Sequence, residues 1–103
     1  MRGADSERID MNRNLNIHRP LLAPGARYRF DELRRQHQLL FPEGVLILNE
    51  TGAAIVQICD GRAKNELLAD LEERFSEVGL ANDLDEFLQR LARKGLLRDA
   101  DDA

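Results

Sequence analysis

The apolar residues of this 103-residue chain change their spacing once, at Asn49. Before it they fall on alternate positions or in short runs, as in strands. After it they recur three and four residues apart, as in helices. Strands followed by helices predict an α+β domain.

Arg19–Leu22 reads as a short extended piece halted by Pro24–Gly25. Arg27–Leu33 sets Tyr28 and Phe30 against Arg27, Arg29 and Asp31. Arg34–Arg35–Gln36 connects it to His37–Phe41, and the turn Pro42–Glu43–Gly44 leads to the third strand, Val45–Leu48. These three strands make an antiparallel sheet.

Asn49 is the expected N-cap of the first helix, with Glu50 in its first turn. Ile55, Val56, Ile58 and Cys59 fill its apolar face, and Asp60–Gly61 ends it. The second helix runs from Ala63 to Phe75, with Leu67, Leu68 and Leu71 inward. Ser76–Asn82 is a link. The third helix opens on Asp83–x–x–Glu86, a capping-box variant, carries Leu84, Phe87, Leu88 and Leu91, and ends at Gly95. Leu96–Leu97 pack back. The folded domain is expected over 19–98, between a disordered arm over 1–18 and an acidic tail over 99–103.

The chain is long enough for one core and no second. Its formal charge is −4, distributed as +3 over residues 1–41 and −7 over 42–103. A net acidic chain repels nucleic acid and anionic membrane. The longest apolar run, Val45–Leu48, is far short of a membrane span, and the charged N-terminus is unlike a secretory signal. A single cysteine, Cys59, allows no internal disulfide, and with His18 and His37 it cannot supply four Cys/His zinc ligands. A cytoplasmic protein is expected.

Catalysis finds no support. The carboxylate pairs Glu72–Glu73 and Asp85–Glu86 fit solvated helix faces, and Cys59 fits a buried core thiol. His37 fits a surface position on a hairpin strand. No glycine-rich phosphate loop is present.

Three helices after a small sheet resemble a winged helix-turn-helix, but a recognition helix opening on Asp83, Asp85 and Glu86 would set carboxylates against phosphates. The link over 76–82 is also long for that motif. Arg27, Arg29, Arg34 and Arg35 are the only features favouring DNA.

The strand Val45–Leu46–Ile47–Leu48 is apolar on both faces, so both are covered or one is offered to a partner. Phe87 lies at the edge of the third helix's apolar stripe, with Arg90 and Lys94 beyond it. An edge strand beside such a helix makes a groove for an extended peptide.

Arg19–Pro20–Leu21–Leu22–Ala23–Pro24–Gly25 resembles the opening motif of the PqqD family, pyrroloquinoline quinone biosynthesis protein D. Val45 to Ile55 (VLILNETGAAI) with Cys59–Asp60–Gly61 resembles its central motif, and Phe87–Leu88–x–x–Leu91–x–x–Lys94–Gly95–Leu96–Leu97 its closing one. One departure is Arg62–Ala63–Lys64, which offers no side-chain cap where the family usually has Thr.

The resemblance implies a shortened winged helix-turn-helix and a peptide chaperone without catalysis or cofactor. It implies binding of the precursor peptide PqqA and its presentation to PqqE, a radical S-adenosylmethionine enzyme that links a Glu to a Tyr in it. The peptide is expected to add as a strand to Val45, Leu46, Ile47 and Leu48. Val45 or Ile47 and Phe87 or Leu91 would form apolar pockets, and Arg90 and Lys94 would meet acidic groups. The rival readings are a DNA-binding winged helix and a dimer module that pairs with itself through the same edge or by exchanging its N-terminal hairpin.

Overall fold

A computed structural model of the chain describes residues 17–76 and 78–102. Eight elements follow in order: β1 (Pro20–Leu22), β2 (Arg27–Asp31), β3 (Gln36–Phe41), β4 (Gly44–Leu48), α1 (Glu50–Gln57), α2 (Lys64–Arg74), α3 (Leu80–Arg93) and β5 (Leu97–Asp99). A single 3₁₀ turn, Ala100–Asp102, follows. The α+β class and the antiparallel meander β2-β3-β4 are as the periodicity predicts.

In the meander, Tyr28 stands opposite Leu39 and Leu39 opposite Leu46, so all three share one face and turn it to the helices. Arg27 and Arg29 lie on the other face with Val45 and Ile47. β2 stops at Asp31, two residues before the expected end at Leu33. The buried Asp31 carboxylate accepts the Leu33 and Arg34 amides at 3.0 and 3.2 Å, which turns the chain. Leu33 is thereby left 93% exposed. Those amides, the Arg34 one first, and the Arg34 guanidinium hold Asp31 below the usual carboxylate range against the opposing effect of desolvation.

Asn49 caps α1 as expected, its Oδ1 accepting the Gly52 amide at 2.7 Å. The helix closes at Gln57, three residues before Asp60. Cys59–Gly61 are drawn out to pair with β1: the Leu22 amide donates to the Cys59 carbonyl, and the Gly61 amide to that of Pro20. Gly61 takes a φ of 97°, which a side chain disfavours. Ala63 has no cap of its own, so neighbours supply one. Glu66 accepts the Ala63 amide at 3.2 Å, and the His18 carbonyl accepts the Lys64 amide at 2.9 Å.

α3 begins at Leu80, not Asp83. Gly79, at φ 79°, feeds the chain into the helix, and buried Leu80 continues the stripe Leu84, Leu88 and Leu91 by one turn. The connection after α2 is therefore five residues, 75–79, against the seven expected. At the other end the Gly95 amide donates to Ala92 and the Leu96 amide to Leu91, a Schellman closure.

The first and last described strands meet in a second sheet. β1 and β5 pair antiparallel, Pro20 opposite Asp99. Asp99, expected in the acidic tail, fastens this clasp by accepting the backbone amides of His18, Arg19 and Asp101 at 2.8–3.0 Å. Burial pushes its carboxyl up, but those three amides outweigh it and hold the group below its ordinary range. Ile17, assigned to the arm by sequence, is buried in the core at 5% exposure. Residues 1–16 of that arm lie outside the described residues.

Cys59 is a core thiol, as expected. Burial, helped by Asp60, pushes its pKa up to about 12. An aromatic disulfide reagent at pH 8 is expected to leave it untouched in the native protein and to label it fully in urea. Native labelling at the rate of a free thiol would show that Cys59 is not buried.

Candidate functional site

β4 is an edge strand: among the described residues only β3 pairs with it. The phase of its hydrogen bonds follows from the two-residue turn. Phe41 and Gly44 flank Pro42–Glu43 and form a hydrogen-bonded pair, so bonding alternates from there. Leu46 and Leu48 bond inward to Leu39 and His37. The N–H and C=O groups of Val45 and Ile47 point outward, to the open edge.

Beside that edge lies a cleft of about 840 Å³. β4 contributes Leu46, Ile47 and Leu48; α1 and its cap contribute Asn49, Thr51, Gly52 and Ile55; α3 contributes Asp83, Glu86, Phe87, Gln89, Arg90 and Arg93. Side chains of an added strand would alternate between the cleft and the outer face, where Val45 and Ile47 are 49% and 52% exposed.

Phe87 sits half-buried in this cleft because α1 has no side chain at Gly52. A Cβ there would lie 3.3 Å from the Phe87 ring and 3.1 Å from Asn49 Oδ1. On its other side the Phe87 ring is stacked by Arg90, whose Cζ is 5.5 Å from the ring centroid. Gly52→Ala should therefore shift the ring or loosen the cap. Overpacking costs about 1–3 kcal/mol, against at most about 1 kcal/mol of gained helix propensity. A modest fall in thermal midpoint is expected, with the Phe87 ring resonances moved. An unchanged midpoint with unmoved ring resonances would mean that the notch is not needed.

Of the eight residues singled out from the sequence, Leu46, Ile47, Leu48, Phe87 and Arg90 line the cleft. Val45 stands beside it on the same edge. Leu91 does not: it is 0% exposed, on the core stripe of α3. Lys94 does not either: it borders a separate shallow hollow with Pro24, Phe41 and Pro42. Sequence reasoning missed Thr51, Gly52, Ile55, Asp83, Glu86, Gln89 and Arg93, and placed Asn49 as a cap only. Asp83, Glu86 and Arg93 were within reach, since each stands three or four residues from Phe87 or Arg90 on the helix.

Among the described residues no group of three His, Cys, Asp or Glu could hold a metal ion. His37 is half-buried rather than on the surface. Its Nδ1 lies 2.7 Å from Tyr28 Oη, and its Nε2 lies 3.6 Å from Glu50. On the DNA reading, Arg34 is tied to Asp31, and Asp83 remains in the first turn of α3.

Residues 36–97 match the family model for coenzyme PQQ synthesis protein D (PqqD). A Methylococcus capsulatus relative named PqqA binding protein is 34% identical over 79 residues, 76% of this chain and 85% of its own. A Klebsiella pneumoniae protein of the same name is 43% identical over 67 residues, 63% and 73% of the two chains. Among solved structures, the chain is similar to the PqqD truncation of Methylobacterium extorquens PqqCD, described as a functional, stand-alone recognition element for ribosomally made, modified peptides. The TM-score is 0.66 at 30% identity, over 77% of this chain and 87% of that one. The family model spans more than half of the chain, and the Methylococcus relative is over 30% identical with most of its length covered: the chain belongs to the PqqD family.

Proposed function

We propose that this protein is a peptide chaperone of pyrroloquinoline quinone biosynthesis. It binds the precursor peptide PqqA by strand addition to β4 and presents it to the radical enzyme PqqE in the cytoplasm. The observation that carries this reading is the outward-facing backbone of Val45 and Ile47 beside a cleft floored by Phe87. An extended segment there gains backbone hydrogen bonds from the edge and apolar contact from the helix. The relatives named PqqA binding protein supply the peptide's identity. The protein itself performs no catalysis and holds no cofactor. It acts by raising the effective concentration of peptide at its partner.

The test is a titration of isotope-labelled protein with synthetic PqqA, followed by amide shifts and by mass in solution. Shifts concentrated in 45–48 and along α3 support the reading. Absence of shifts in a monomeric sample overturns it. A self-paired dimer uses the same edge and would show as a doubled mass that falls as peptide is added.

A further inference from the structure

The wall that α3 gives the cleft is electrically divided. Asp83 and Glu86 stand on its N-terminal half, Arg90 and Arg93 on its C-terminal half, with Phe87 between. All four charged residues are exposed. Glu86 and Arg90 are four apart, the spacing at which acid and base pair along a helix. Yet among the described residues none of the four makes an ion pair within 4 Å, and Arg90 turns over the Phe87 ring instead. The arrangement also complements the helix dipole, so it costs the fold nothing. For an occupant, however, the two ends of the cleft are not equivalent.

We propose that the cleft fixes the direction of its peptide: the bound strand lies one way only, a basic side chain toward Asp83 and Glu86, an apolar one on Phe87 and an acidic one toward Arg90 and Arg93. The dimensions agree. Asp83 and Arg93 are ten residues apart on a helix rising 1.5 Å per residue, about 15 Å. Three successive cleft-facing residues of a strand, i, i+2 and i+4, span about 13 Å. The substrate class is thus an extended segment of the form basic–x–apolar–x–acidic, read in one sense. A reversed peptide would exchange an antiparallel for a parallel ladder at Val45 and Ile47, or the converse, still reaching their outward groups, but would set like charges together at both ends. This inference rests on peptide binding at β4 and adds the sense in which the peptide lies.

The test uses the full chain and synthetic PqqA carrying a nitroxide at one terminus or the other. One orientation broadens the amides at one end of α3 with the first label and those at the opposite end with the second. Equal broadening of both ends by either label overturns the proposal. In parallel, Arg90→Gln with Arg93→Gln, and separately Asp83→Asn with Glu86→Gln, should each weaken binding several-fold, up to about tenfold at low ionic strength, with the effect shrinking as salt is added. Neutral amides avoid like-charge repulsion within the helix, and thermal midpoints confirm folding. Affinities within twofold of wild type, with PqqA still bound, would overturn the directional reading and leave strand addition intact. Failure of wild-type protein to bind PqqA would overturn both.

Discussion

An Ile47→Pro variant is expected to stay folded and to lose at least about tenfold in affinity for PqqA. Proline removes a backbone donor and fills the space before it with its ring, which an edge strand tolerates only where the N–H faces away from its neighbour. Ile47 is opposite Gln38 at such a position, and its side chain is half exposed, so little packing is lost. One hydrogen bond is worth about 0.5–1.5 kcal/mol, and the ring also bars close approach of the added strand. Calorimetric titration gives the affinity and the amide spectrum gives the fold. Leu46→Pro is the contrasting variant. Leu46 faces Leu39 at an inward-bonded position, so this proline breaks the ladder and unfolds the sheet. An unchanged affinity in folded Ile47→Pro protein would place the peptide elsewhere.

Leu91→Ala should act in the opposite way. Leu91 is wholly enclosed on the core stripe of α3, and truncation leaves a cavity costing about 2–5 kcal/mol. That is a large part of the 5–15 kcal/mol by which a domain is usually stable. A urea titration would show a midpoint much reduced at unchanged slope, while the folded fraction binds PqqA with wild-type affinity. Lost affinity without lost stability would mean that Leu91 contacts the peptide after all.

These two variants mark where sequence reasoning reached and where it stopped. The two-faced strand Val45–Leu48 was legible because its apolar run has no alternation; Leu46 and Leu48 face the core, while Val45 and Ile47 are half exposed on the outer face. Asn49 and Gly95 were legible because caps are local chemistry. Leu91 was misread because it stands four residues from Phe87, though it also stands three, seven and eleven from Leu88, Leu84 and Leu80. The second set is the core stripe. The start of α3 was missed for a related reason: the acidic pattern at Asp83 looked like a cap, while Leu80 and the left-handed Gly79 set the true start. The early end of α1 had no local signal, since a distant strand draws Cys59–Gly61 out of the helix. The pairing of two three-residue strands, β1 and β5, likewise leaves no period to read.

The clasp also orders events during synthesis. The Arg19 amide reaches the Asp99 carboxylate across 80 positions of sequence, whereas β2, β3 and β4 pair with immediate neighbours and the helices pack soon after. Local contacts form early, and a contact between such distant residues waits for the chain between them to be ordered. β1 thus leaves the ribosome before the other described strands, and its pairing with β5 closes late. A chain ending before Leu97 would hold the residues of the meander and of all three helices, yet β1 would have only the short pairing with Cys59–Gly61 and none of its bonds to β5.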